Sequence, residues 1–269
     1  MYKLLLVTKD AQVRESFTGI QDLHRQMFEP ITVLESAEEA VAFLRKGGTD
    51  AVGFALKEPE QGFLMNQIAQ HYPSLPIFRT HRRGEELRAE LTLVREYLDQ
   101  LHADYSDYEN DADTTLARLQ NELVHKLLEE KILSRDELKS RLLLSRSPLL
   151  DENPCFLFEF NLPDGSQYLQ SRWHHGFERL DLSLRANFFG RIQGPLFCGA
   201  ALLSGENLRV MACATGKLSE SEVDMLSQSV HEQVLSTARQ VKDYMDLELV
   251  CTSFRVLDSL SALIPRHTP

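Results

Sequence analysis

The apolar residues of the first eighty positions fall into short continuous runs. They are KLLLV (3–7), ITVLE (31–35), DAVGFAL (50–56) and LPIFRT (75–80). Runs of that length without alternation are what strands buried on both faces look like. The stretches between them read as helices. One runs from about Ala11 to Met27. A second is SAEEAVAFLRKGG, where Ser36 caps the start, Glu39 completes a capping box, and Gly47 and Gly48 end it. A third runs from about Gln61 to His71 and stops before Pro73. Strand and helix alternate four times at short spacing, which predicts a parallel sheet covered by helices.

The pattern changes at Gly84. Leu87, Leu91, Val94, Leu98, Leu101 and Tyr105 are spaced 4, 3, 4, 3, 4, a heptad seam of under three full heptads. Two readings follow: a short coiled coil that pairs two chains into a homodimer, or an amphipathic helix packed on its own domain. DYSDYENDAD (104–113) is acidic and reads as a linker, a break between helices or a solvated helical segment. A helix is then expected from Asp113 or Thr114 to about Lys131, with Leu116, Leu119, Leu123 and Leu127 on one face. Ser134 opens another short helix, and SRSPLLDENP is a loop.

The second half has a different order. CFLFEFNL (155–162) is a strand, and a long helix is expected from about Ser166 to Phe188. GPLFCGAALLSG and NLRVMACAT are strands joined by a tight SGEN turn, a hairpin. Ser219 and Glu222 form a capping box for a helix running to about Tyr244, and LELVCTSF (247–254) is a last strand. Strand, helix, hairpin, helix, strand predicts an α+β domain with a mainly antiparallel sheet. The expected organisation is a domain over 1–83, a helical connector over 84–150 and a second domain over 151–269.

A chain of 269 residues fits this count at roughly 150 residues per domain. The formal charge of −11 argues against a broadly basic surface for nucleic acid. No apolar run approaches the roughly 18 residues that span a bilayer, and the start has no signal-peptide pattern, so no membrane role and a cytoplasmic location are expected. Cys155, Cys198, Cys213 and Cys251 lie far apart in apolar segments and read as buried, reduced thiols rather than zinc ligands. His174 and His175 are adjacent on a helix, a poor metal pair. Trp173 reads as packing, and His81, Arg82 and Arg83 as a loop where an anion could bind. No dinucleotide, Walker, metalloprotease or nucleophile-elbow motif occurs, and neither metal nor cofactor is expected.

The order MYKLLLVTKD…VLESAEEAVAFLRKGGTDAVGFALKEP…YPSLPIFRT resembles a response-regulator receiver domain, which has a flavodoxin-like fold. The resemblance places the phosphoacceptor at Ala55 and the acidic pocket at Thr8, Lys9 and Asp10, with Thr80 as the switch residue. An alanine has no nucleophile, and Lys9 puts a cation where Mg²⁺ would sit. The resemblance therefore implies a pseudo-receiver without aspartyl-phosphate chemistry. No fifth strand carrying the family's Lys-Pro pair follows.

NELVHKLLEEKILSRDELKSRLLLSRSPLLDENPCFLFEF resembles the connector after the receiver in AraC-type response regulators. The second half is similar to the degenerate GGDEF-like (cyclase-like) domain of the same regulators. There the hairpin turn holds the signature; here it reads Ser204-Gly205-Glu206-Asn207-Leu208, with Gly205, Glu206 and Asn207 the candidate ligand turn. The second metal acid would fall near Asn161, and no carboxylate follows until Asp164. No recognition helix follows Leu257, and direct nucleic-acid binding is not expected of this chain.

The resemblance thus implies a non-enzymatic two-component signalling protein. It would act through a protein partner, a histidine kinase or another regulator, and as a candidate homodimer. The alternatives are a nucleotide or metabolite sensor acting through the GGDEF-like domain, and the N-terminal part of a transcription regulator.

Overall fold

The computed structural model describes residues 1–105, 112–188 and 196–265. The chain forms two compact units, one of residues 1–120 and 139–147, the other of 121–138 and 148–269. No helix among the described residues is long and apolar enough to cross a membrane.

The first unit is built on a parallel sheet of β1 (Leu4–Thr8), β2 (Thr32–Leu34), β3 (Ala51–Ala55) and β4 (Ile77–Phe78), in the order β2-β1-β3-β4. That order is compatible with a flavodoxin-like domain that stops at four strands. Its helices are α1 (Ala11–Thr18), α2 (Ala37–Leu44), α3 (Glu60–His71) and α4 (Gly84–Tyr105). Alternate residues of β1 feed two cores. Leu4 and Leu6 join Phe17 and Phe78, whereas Leu5 and Val7 join Val41, Leu44, Leu64 and Ile68. The continuous apolar run is thus explained by burial on both faces.

Leu87, Leu91, Val94 and Leu98 of α4 are fully buried in the first of those cores, and Leu101 is nearly so. The heptad seam is spent within its own unit and offers no apolar stripe to a second chain. This is the second of the two readings open in the sequence, and it corrects the seam as a dimer contact. A helix covering one side of a sheet buries residues at the same 3–4 spacing as a coiled coil, so spacing alone does not separate them. Tyr105 ends α4, and its side chain lies outside the described residues.

The segment 84–150, expected as a connector, does not stand apart. α4 belongs to the first unit. α5 (Ala112–Leu128) and α6 (Arg135–Leu144) each pass from one unit into the other. α5 begins at Ala112, so Asp113 and Thr114 lie inside it rather than capping it. The rest of the acidic segment, 106–111, is outside the described residues. Ser134 does cap α6, accepting from the Glu137 amide at 3.1 Å.

The second unit contains β5 (Cys155–Asn161), α7 (Gly165–Ser171), α8 (Phe177–Phe188), β6 (Leu196–Ser204), β7 (Asn207–Ala214), α9 (Glu220–Met245) and β8 (Val250–Leu257). The sheet is antiparallel in the order β6-β7-β5-β8. This is a split β-α-β-β-α-β plan, as the order of elements predicts. Phe156, Phe158 and Phe160 on one face meet Leu180 and Leu184 of α8 and Val230, Val234 and Val241 of α9. On the other face a Cβ at Gly199 would stand 2.3 Å from Val124 Cγ1, so glycine lets α5 lie directly on β6.

Two boundaries differ from expectation. The helix expected over 11–27 ends at Thr18, because the Gly19 amide closes it on the Glu15 carbonyl; a 3-10 turn, Leu23–Gln26, follows. The long helix expected over 166–188 is two helices, broken where Gly176 adopts φ 84° and its carbonyl accepts from Trp173 Nε1. Cys155, Cys198 and Cys213 are buried and Cys251 is half-buried, all as free thiols. Burial pushes the Cys198 thiol up to about 12, so it stays protonated.

Candidate functional site

β1 and β3 end side by side, and the loops after them and after β4 form a shallow basin at the carboxyl edge of the sheet. This edge is where open α/β sheets bind ligands. Asp10, Ala55, Thr80, His81, Arg82, Arg83 and Glu86 line it. The structure therefore brings together Asp10, Ala55 and Thr80, which the receiver resemblance singled out.

Asp10, His81, Arg82, Arg83 and Glu86 of the basin each have a partner within the chain. Thr8 is fully buried at the end of β1. Its hydroxyl donates to the Ala55 carbonyl at 3.3 Å and accepts from the Asp10 amide at 3.0 Å. Thr8 therefore staples the two strand ends together and is not a ligand. Lys9 reaches Glu60 at the start of α3, at 2.8 and 3.1 Å. Asp10 uses both oxygens. Oδ1 caps α1 through the Gln12 and Val13 amides at 2.9 and 3.3 Å, and Oδ2 accepts Arg82 Nη2 and Nε at 2.7 and 3.2 Å. The Arg82 guanidinium, with the Val13 amide, holds the Asp10 carboxyl below its usual range, and Glu60 holds the Lys9 ammonium above its own.

A carboxylate already neutralised by a cap and a guanidinium is a poor ligand for Mg²⁺. Ala55 offers no oxygen to phosphorylate. Among the described residues no group of three or more His, Cys, Asp or Glu side chains could hold a metal ion. The basin can still present charge through Arg83, which is exposed and lies 3.6 Å from Glu86.

Behind the basin is a group that motif reading does not single out. Glu90 of α4 is buried at 3% exposure and takes three donors. They are the Arg79 amide at 2.9 Å, the Ser140 hydroxyl at 2.5 Å and the His81 ring at 3.4 Å. His81 lies between Glu86 and Glu90, and its carbonyl accepts from Ser16 at 2.6 Å. Glu90 thus fixes the loop that carries Thr80 to Arg83. Its signal was in the sequence: a carboxylate three residues after Leu87 sits on the apolar face of a heptad, where an unpaired charge would be costly. Arg82 and Glu60 were missed as partners because they meet Asp10 and Lys9 only in the fold.

The second candidate was the turn Gly205-Glu206-Asn207. It closes on itself and on α7. The Ser204 hydroxyl accepts from the Glu206 amide and from Asn207 Nδ2, at 3.3 and 3.0 Å. Glu206 accepts from Ser166 at 3.0 Å, and its carbonyl accepts from the Leu162 amide at 2.8 Å. Positive φ among the described glycines occurs at Gly47, Gly48 and Gly176, so Gly205 is not there for turn geometry. It is there for space: a Cβ on Gly205 would stand 3.0 Å from Ser166 Oγ and 3.3 Å from Leu169 Cδ1 of α7. Trp173 stacks on Tyr168 and packs against the core of this unit.

Three aspartates respond to acid in the same sense. Asp10 is described above. Burial pushes the Asp181 carboxyl up, but His125, the Leu202 amide and Arg185 together outweigh that and hold it low. Asp151 is likewise raised by burial and lowered more by Arg135 and Ser261. Each binds its proton less readily folded than unfolded. Their stabilisation is therefore complete above the unfolded value of about 3.9 and is lost as pH falls through the lower folded values. Urea melts are expected to weaken steeply below about pH 4, and Asp181→Asn is expected to flatten that slope. An unchanged slope would show that the Asp181 contacts do not favour the ionised form.

No protein-family model matches the chain, and no curated protein matches it.

Proposed function

We propose that the chain is a non-catalytic signal-transduction protein, a receiver-like unit without phosphoacceptor followed by a degenerate GGDEF-like unit. It acts by binding a protein partner, a histidine kinase or an intact regulator being the class that the sequence resemblance points to. The observation that carries the reading is the state of Asp10. The only acid left at the receiver-like positions is consumed by the α1 cap and by Arg82, beside an alanine at the acceptor position. Phosphoryl transfer to a carboxylate needs a free nucleophilic oxygen and a metal to offset developing charge. Ala55 has no such oxygen, and both oxygens of Asp10 are already engaged.

The element order and antiparallel sheet of the second unit support the GGDEF-like part of the reading. The sensor alternative draws less support, because Glu206 and Asn207 are already bonded within the turn. The test is exposure of the chain to a small acyl-phosphate donor with Mg²⁺, followed by intact-mass measurement. No phosphoryl adduct is expected; an adduct on a basin carboxylate would contradict the reading.

A further inference from the structure

The second unit carries a polar concavity of about 290 Å³ between α7 and the end of α9. Its walls hold three acids and two bases, Asp164, Asp246 and Glu248 against Arg172 and Lys242. Both bases are paired within it, Arg172 with Asp246 and Lys242 Nζ with Glu248 at 2.6 Å. Asp164 is the acid left over. It precedes α7, makes no side-chain capping bond, and has no side-chain partner among the described residues. The Gln167 amide, three residues on, has none either.

Tyr168 is a second, independent observation. It lines the concavity at 7% exposure and stacks on Trp173, yet its hydroxyl has no hydrogen-bond partner among the described residues. A polar group on so buried a side chain ordinarily has one. Burial, opposed by Arg172 and aided by Asp246, pushes this phenol up, so it keeps its proton and lies within reach of those two wall residues. The 26-residue helix α9 ends here as well. The last carbonyls of a helix lack intrahelical donors and carry partial negative charge. Glu248, with Asp243 and Asp246, pushes the Lys242 ammonium up, which marks a negative field at this end of the helix.

We propose that this concavity binds a small organic cation with a primary ammonium end. The three N–H donors of an ammonium find three unspent acceptors in the Asp164 carboxylate, the Gln167 amide oxygen and the Tyr168 hydroxyl. The sign of the charge selects the class. An anion would meet three carboxylates and the negative end of α9, with both bases already paired. A neutral guest would forgo the charge-assisted bond to Asp164. A bare metal ion lacks ligands, because among the described residues no three His, Cys, Asp or Glu side chains converge. The inference is independent of the phosphoacceptor argument.

The test is titration of the full chain at neutral pH with ethanolamine, choline, ethylene glycol and glycolate, read by ligand-observed NMR. Ethanolamine is expected to bind one per chain. Choline, which keeps the charge but loses the N–H donors, and the neutral and anionic analogues are expected to bind about tenfold or more weaker. Asp164→Asn is expected to weaken ethanolamine about tenfold with an unchanged urea melt, since that side chain has no partner to lose. Tyr168→Phe keeps the ring on Trp173 and is expected to weaken ethanolamine about fivefold. Absence of saturable ethanolamine binding, equal binding of choline or glycolate, or undiminished binding by folded Asp164→Asn would each overturn the proposal.

Discussion

Leu91→Ala is expected to lower the stability of the first unit by about 3 kcal/mol, within the range for a fully buried leucine. Leu91 is fully buried and belongs to one cluster with Leu4, Leu6, Phe17 and Phe78. Truncation therefore removes transfer energy and leaves a cavity that helix and sheet only partly close. The reading of α4 as core has a second consequence. Hydrogen exchange should accelerate in β1 as well as α4, because both contribute to the same cluster. The mass in solution should stay that of the parent chain. If the variant instead kept its exchange protection and dissociated a dimer, the seam would be an interface after all.

Gly165→Ala is expected to cost the second unit about 3 kcal/mol, at the upper end for an overpacked site. The new methyl would meet the Gly205 carbonyl at 1.8 Å and Leu162 Cβ at 2.9 Å. A backbone oxygen cannot swing away as a flexible side chain can. Either the hairpin turn lifts from α7 or α7 shifts, and the Ser166–Glu206 hydrogen bond breaks in both cases. Gly216→Ala is the control: nothing lies within 4 Å of its added carbon, and a change under about 0.5 kcal/mol is expected. Chemical denaturation of both variants, read in the second unit, makes the comparison. Equal small effects would show that the turn is not docked on α7.

Much of the fold was legible because burial leaves a direct trace in the sequence. β1 is an uninterrupted apolar run because both faces are covered, and the fourfold strand–helix alternation gave the parallel sheet. The capping box at Ser219 and Glu222 was equally local; at Ser36 the hydroxyl accepts from the Glu39 amide, but the Glu39 carboxylate accepts from the Glu35 amide instead of closing the box. What stayed hidden depends on distant partners. The heptad in α4 reads identically whether it faces a sheet or a second helix. The break at Gly176 was masked by flanking residues with helical periodicity. Asp10 and Lys9 were placed by the resemblance, yet their chemistry is set by Arg82 and Glu60, 72 and 51 residues away along the chain.

Asp10 is the acid on which the account turns. The most direct measurement is peptide mapping by mass spectrometry after the chain has been held with an acyl-phosphate donor and Mg²⁺. The account predicts no phosphoryl group on the peptide containing Thr8 to Asp10 or on the peptide containing Ala55 to Glu60. A Mg²⁺-dependent phosphoryl group on Asp10 or on Glu60 would show that the ion pairs with Arg82 and Lys9 open, and that the basin is an active phosphoacceptor site.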